Sequence, residues 1–71
     1  MINEIINNLK SIRIKNRITM VELSNKTGIS QKHISNIENF KTTPSIDTLQ
    51  KLADGLGYKI ELSLIGDKNT A

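Results

Sequence analysis

Apolar side chains recur at intervals of three and four along the first part of the chain: Ile2, Ile5 or Ile6, Leu9 and Ile12. That is the repeat of one helix face, and it predicts a helix over 2–16 that Asn16-Arg17 ends. Thr19-Met20-Val21-Glu22 follows, a hydroxyl with a glutamate three residues later. Such a capping box starts a second helix, with Val21 or Leu23 inward and an end near Lys26. Thr27-Gly28 then makes a turn in which Gly28 takes positive φ, Ile29 plugs the core, and Ser30 caps a third helix. Ile34 and Ile37 share that helix's inner face. Lys41-Thr42-Thr43-Pro44 reads as a loop. Ser45 caps a fourth helix, whose positive end suits Asp47 and whose apolar stripe is Ile46, Leu49, Leu52 or Ala53, and Leu56. Gly57 closes it. Gly55, inside its last turn, weakens that end by about 1 kcal/mol relative to alanine.

After Gly57 the period changes. Tyr58, Ile60, Leu62 and Leu64 alternate with Lys59, Glu61 and Ser63. Alternation is the mark of a strand, with a helix or packed coil as the other reading. The chain shows no second strand to satisfy its backbone groups, so the simplest partner is the same segment of a second copy, antiparallel across a two-fold axis. The expected organisation is a helical domain over 1–57, a dimerisation strand over 58–65 and a flexible tail over 66–71. There is no internal repeat or low-complexity tract.

Composition narrows the function more than the fold. The 71 residues allow one small domain with a modest core. Without cysteine there is no disulfide and no thiolate metal site, and one histidine alone holds no metal. No apolar run approaches the ~18 residues of a membrane span, and Met1-Ile2-Asn3-Glu4 lacks the build of a signal peptide, so a cytoplasmic location is the default. The net charge of +3 is unevenly spread. Residues 10–41 carry seven cationic side chains against two anionic ones, whereas 42–71 carry three against four. A basic half suits a polyanion approaching one side. No paired carboxylates, activated nucleophile or phosphate-cradling glycine loop suggests an enzyme, and no cofactor or small-molecule ligand is implied. Ser24, Ser30 and Ser45 read as helix or cap residues.

The outward side of the third helix carries Gln31, Lys32, Ser35, Asn36 and Asn39. An ordinary solvated face favours Glu, Lys and Ala, which stabilise helix better. Asn and Gln can pair bidentately with adenine, and Lys with guanine, in the major groove of DNA. Two short helices joined by a glycine turn, the second bearing such groups, form a helix-turn-helix.

The ordered residues Leu9-Lys10-Ser11-Ile12-Arg13, Ile18 to Ser24, Thr27-Gly28-Ile29-Ser30-Gln31, Ile34 to Asn39, Pro44 to Leu49, Leu52-Ala53 and Leu56-Gly57 resemble the Cro/C1-type helix-turn-helix family of phage repressors and bacterial regulators. The resemblance implies an all-α, compact lambda-repressor-like bundle of four or five helices with its second motif helix in the major groove. It implies a repressor acting as a homodimer on a near-palindromic double-stranded operator. Gln31, Lys32 and Asn36 would read base edges. Ser35 and His33 would reach bases or flanking phosphates, Ser35 standing with the readers and His33 with the backbone contacts. Thr19, Met20 and Ser30 at the helix starts, and Asn39, Lys41 and Thr42 after the reading helix, would hold the DNA backbone. Arg13 and Glu38 match a structural ion pair. Tyr58, Ile60, Leu62 and Leu64 are similar to the strand of antitoxin-type members, in some of which it joins two subunits, so the alternative is an antitoxin that binds a toxin and autoregulates. Two positions depart from the family. Met20 stands where glutamine usually touches phosphate, leaving a backbone N–H at the helix start to replace that clamp. Phe40 stands where glycine usually ends the reading helix. Because a bulky residue resists positive φ, Asn39 is expected to take the left-handed position and Phe40 to pack on the core, with the DNA backbone as its other use.

Overall fold

The computed structural model describes residues 2–61. Four helices account for most of them: α1 (Ile2–Lys15), α2 (Met20–Thr27), α3 (Gln31–Glu38) and α4 (Ile46–Gly55). Each of the last three begins on a hydroxyl residue in extended backbone. Thr19, Ser30 and Ser45 accept from the N–H groups of Glu22, His33 and Thr48 at 3.0–3.1 Å. The Glu22 carboxylate accepts in return from the Thr19 N–H, completing the capping box. Eight-residue helices such as α2 and α3 are too short to persist alone, so packing must hold them.

All four helices stop in the same way, on a residue in the left-handed region: Arg17 (φ 57), Gly28 (φ 77), Phe40 (φ 59) and Gly57 (φ 84). At three of them the paired bonds of a Schellman motif close the end. The N–H groups of Ile18, Lys41 and Tyr58 reach the carbonyls of Arg13, Asn36 and Ala53 at 2.8–2.9 Å. Those of Arg17, Phe40 and Gly57 reach Ile14, Ile37 and Asp54 at 3.0–3.1 Å. At α2 one bond suffices, from Gly28 to Ser24 at 2.8 Å. Asn39 therefore does not take the left-handed position; its φ is −96, and Phe40 takes it instead. A side chain there costs about 1–2 kcal/mol. Nor does Phe40 pack on the core, being 48% exposed.

The core comprises Ile6 and Leu9 of α1, Leu23 of α2, Ile29 in the turn, Ile34 and Ile37 of α3, and Leu49, Leu52, Ala53 and Leu56 of α4 and its end. The open choices resolve towards Ile6, Leu23 and both Leu52 and Ala53; Val21 is half-exposed. Ile46 leaves the stripe predicted for it and is 62% exposed. It opens the first turn of α4, and the buried face begins one turn later, at Leu49. α3 packs on α1 and α2, and α4 packs on the same two helices. Among the described residues there is no strand. Residues 58–61 continue from α4 without regular structure, and Ile60 lies partly buried against the core instead of facing outward with a strand. Leu62, Leu64 and the rest of the expected strand and tail fall outside the described residues.

Two contacts fix the helices relative to one another. Arg13 of α1 holds both oxygens of Glu38 on α3, Nε to Oε2 at 2.7 Å and Nη2 to Oε1 at 2.8 Å. Its remaining Nη1 donates to the Ile18 carbonyl at 2.9 Å, so one side chain ties α1, the α1–α2 turn and α3. Both side chains are nearly buried, at 11% and 7% exposure. The hydrogen bonds that Arg13 donates to the Glu38 carboxylate raise the Arg13 pKa above its ordinary value, burial opposes that rise, and the Coulomb attraction adds to it. The guanidinium is thus charged at any ordinary pH.

The second contact is a close approach of α2 and α4 at Gly55. A Cβ on Gly55 would lie 2.6 Å from the Thr27 methyl and 3.0 Å from a Leu23 methyl. The Thr27 methyl cannot swing aside freely. Its hydroxyl donates to the Leu23 carbonyl at 2.8 Å and accepts from the Ile29 N–H at 3.1 Å, which locks the rotamer.

Gly55→Ala is therefore expected to destabilise the fold by about 1 kcal/mol or more in urea titration, overpacking outweighing the better helix propensity; a gain in stability would refute the close approach. Glu38→Gln strands a nearly buried guanidinium and is expected to lose about 3 kcal/mol. Arg13→Met combined with Glu38→Leu should recover most of that loss, since breaking a pair costs more than replacing it.

Candidate nucleic-acid interface

α3 is held from behind and open in front. Ile34, Ile37 and Glu38 face the interior, anchored by the core and by Arg13. Gln31, Lys32 and His33 are exposed, Ser35 and Asn36 half-buried, and Asn39, Lys41 and Thr42 exposed just beyond the helix. Helical spacing places Lys32 and Asn36 in one row and Gln31, Ser35 and Asn39 in the next.

Hydrogen bonding separates these groups. Asn39 Nδ2 is turned back on its own helix, 2.9 Å from the Ser35 carbonyl and 3.3 Å from Ser35 Oγ. The donors that would reach a phosphate are engaged there, and the Ser35 hydroxyl is engaged with them. Ser30 Oγ is committed to the His33 N–H. Gln31, Lys32 and Asn36 form no side-chain hydrogen bond among the described residues, and neither do His33, Lys41 and Thr42. Helix α3 thus presents two amides and one ammonium with their full bonding capacity towards solvent, on a backbone that cannot shift without disturbing Arg13 and the core. Water satisfies these amides in the free chain, and any partner that covers them must offer polar groups in exchange.

At the start of α2 the capping box uses the Thr19 hydroxyl and N–H, and Met20 packs partly against the core. Met20 is therefore a packing residue here, with no donor on its side chain. The backbone N–H groups of Met20 and Val21, in the first turn, have no acceptor within their own helix, while Glu22 adds a negative charge beside them.

Sequence reasoning missed three parts of this scaffold. Thr27 pins the turn between α2 and α3 through its hydroxyl, and a threonine before a glycine carries no strong signal of that. Arg17 ends α1 in a conformation usually given to glycine. The third donor of Arg13 finds a carbonyl in the α1–α2 turn, a backbone partner that no residue identity reveals.

Other surface features do not compete with α3. An open cleft of about 550 Å³ at the far ends of α2 and α4 is lined by Lys26, Lys51, Asp54, Gly55, Leu56 and Gly57, and takes in no residue of α3. Among the described residues no cluster of His, Cys, Asp or Glu could hold a metal ion, and no helix is long and apolar enough to cross a membrane.

Comparison with known proteins agrees with this geometry. The chain is 30% identical over 60 residues to an immunity repressor protein of Bacillus phage phi105, a match that covers 84% of this chain and 41% of the phage protein. It is 28% identical over 51 residues to antitoxin HicB 1 of Photorhabdus laumondii, covering 72% of this chain and 33% of that one. The chain therefore spans between a third and two fifths of the length of these relatives. No solved structure matches it. The helix-turn-helix family model matches residues 9–62, from the middle of α1 past the end of α4. With α2, the Gly28 turn and α3 inside that span, the chain belongs to the helix-turn-helix family.

Proposed function

We propose that the chain is a sequence-specific DNA-binding transcriptional regulator, a repressor, that reads the major groove with α3. The observation that carries this reading is the contrast on that helix: a rear face locked by Arg13–Glu38 and the core, and a front face on which Gln31, Lys32 and Asn36 have no hydrogen-bond partner among the described residues. Membership of the helix-turn-helix family and the likeness to a phage immunity repressor support it.

The mechanism divides the work. Lysines and arginines of the basic half neutralise phosphates and release counterions, which supplies affinity without selection. Gln31, Lys32 and Asn36 then select bases, each good bidentate pair giving about 1–3 kcal/mol of discrimination. Lys41, Thr42 and His33 position the helix on the backbone, with the first-turn N–H groups of α2 as a further donor pair for phosphate. Ser35 and Asn39 brace the end of α3 and join in only if their mutual bond opens.

One domain of this size makes too few contacts for tight binding. The operator is therefore read by a homodimer, with half-sites about one helical turn, ~34 Å, apart. The segment 58–65 is the candidate junction. Because Ile60 leans on the core, Tyr58, Leu62 and Leu64 are the residues left to carry the contact.

The likeness to an antitoxin favours one second reading, in which the same DNA surface autoregulates and a bound toxin is the main partner. Copurification of a stoichiometric protein partner from the native host would favour it, and a chain that purifies alone while binding DNA would favour the first.

Gln31→Ala is expected to relax preference at one base pair, by about 1–3 kcal/mol, in a panel of single-base operator variants. Lys41→Ala should weaken all sequences alike and flatten the salt dependence by about one phosphate contact. Identical behaviour of the two variants would dissolve the division between reading and positioning. Charged residues at Leu62 and Leu64 together should give monomers by sedimentation equilibrium and weaken operator binding; an unchanged dimer would remove the segment from the interface.

A further inference from the structure

Phe40 is an exposed aromatic residue that neither the core nor the ion pair uses. It sits one residue beyond Asn39, in left-handed backbone at φ 59, with 48% of its surface exposed. Glycine fills that conformation without strain, as it does at the ends of α2 and α4. The stop itself needs no aromatic group. A Schellman motif is commonly clasped by an apolar contact between the residue after the left-handed one and the last turn of the helix; here those are Lys41 and Asn36, both polar. A strained backbone that holds an exposed ring, with no packing use for it, points outward to a function.

The surroundings indicate what the ring meets. Asn39, Lys41, Thr42 and Thr43 around it in the chain are all exposed and polar, with a cation and no anion among them. A protein-binding aromatic anchor is normally surrounded by further apolar surface; the chain neighbours of this one are polar, and it follows directly on the end of α3. Phe40 lies two residues beyond Glu38, the last residue of α3, and next to Lys41 and Thr42, so it stays close to the end of that helix. On the base edges of a major groove the apolar group on offer is the C5 methyl of thymine.

We infer that Phe40 is a specificity-determining residue that packs its ring on a thymine methyl at the edge of each half-site. The inference rests on the DNA-binding reading of α3 and adds an apolar reader to the polar ones. It also gives the departure from glycine a reason: the ring is kept in spite of its backbone because it contributes selection.

The test uses the full chain and duplexes enriched by it from a random pool. Each thymine of the enriched consensus is replaced in turn by deoxyuridine, which removes only the methyl, and the duplexes are titrated against wild type, Phe40→Gly and Phe40→Asn. Both variants suit left-handed backbone, so the fold is retained, which their melting curves check. The expected result is one thymine per half-site whose methyl, when lost, weakens wild-type binding roughly fourfold, the worth of one buried methyl-sized group. The same loss should leave both variants unchanged. Insensitivity of wild type to every methyl, or equal losses in wild type and variants, would overturn the role of Phe40 while leaving α3 as the reader. A pool from which wild type enriches nothing would instead overturn the DNA-binding reading, and this inference with it.

Discussion

The bidentate grip of Arg13 on Glu38 is the constraint from which the rest of the molecule takes its geometry. α3 is only eight residues long and makes few backbone bonds of its own. Its core face offers two isoleucines, which resist withdrawal from the core but not a slide along the helix axis, because apolar contact has no direction. A guanidinium fork on a carboxylate does have direction. With two parallel bonds to Glu38 and a third to the Ile18 carbonyl, the side chain sets the height of α3 against α1 and the entry of α2 at once. Desolvating both charges offsets much of what the pair gains, so its worth lies in geometry more than in net stability. That is the property the proposed reading of DNA by α3 requires, since a bidentate contact to a base edge tolerates little displacement.

Helix ends are the second recurring device. Four helices stop at left-handed residues, and only two of those are glycines. Where glycine stands, at positions 28 and 57, the turn is unstrained. At Arg17 and Phe40 the fold overrides local preference, and the reasons differ. Ile18, next after Arg17, is half-buried and packs on the core, so the strain at Arg17 is offset by seating an apolar residue. After Phe40 come Lys41 and Thr42, which seat nothing. The same backbone motif therefore serves packing at one end of the bundle and presentation at the other.

These differences also mark how far the residues could be read in advance. The helices were legible because three independent signals coincide: apolar spacing, hydroxyl caps at 19, 30 and 45, and the order of motifs between them. The Arg13–Glu38 pair was legible only through likeness to a family, since the partners lie 25 positions apart and no local pattern connects them. What escaped were effects that depend on a third element. Ile46 fits the helical stripe by spacing yet stays exposed, because the packed face begins one turn further along α4. Ile60 fits a strand by alternation yet leans on the core, a contact with the helices that spacing along the chain does not reveal. For α3, residue type gave the polar outer face, but which groups are free could not be read: Asn39 turning back onto Ser35 is a rotamer choice made by the helix end.

Gly55 has a consequence for how this sequence can drift over evolution. The nearest obstacle to a larger side chain there is the Thr27 methyl, and a serine at position 27 would keep the hydroxyl that pins the turn while removing that carbon. Positions 27 and 55 are thus coupled chiefly through that methyl, with a Leu23 methyl as the second, looser neighbour. Among descendants of this chain, threonine should travel with glycine and serine with alanine, and the mixed combination of threonine with alanine should be rare. A pairing of that kind would register in aligned relatives as covariation between two helices, set by packing alone.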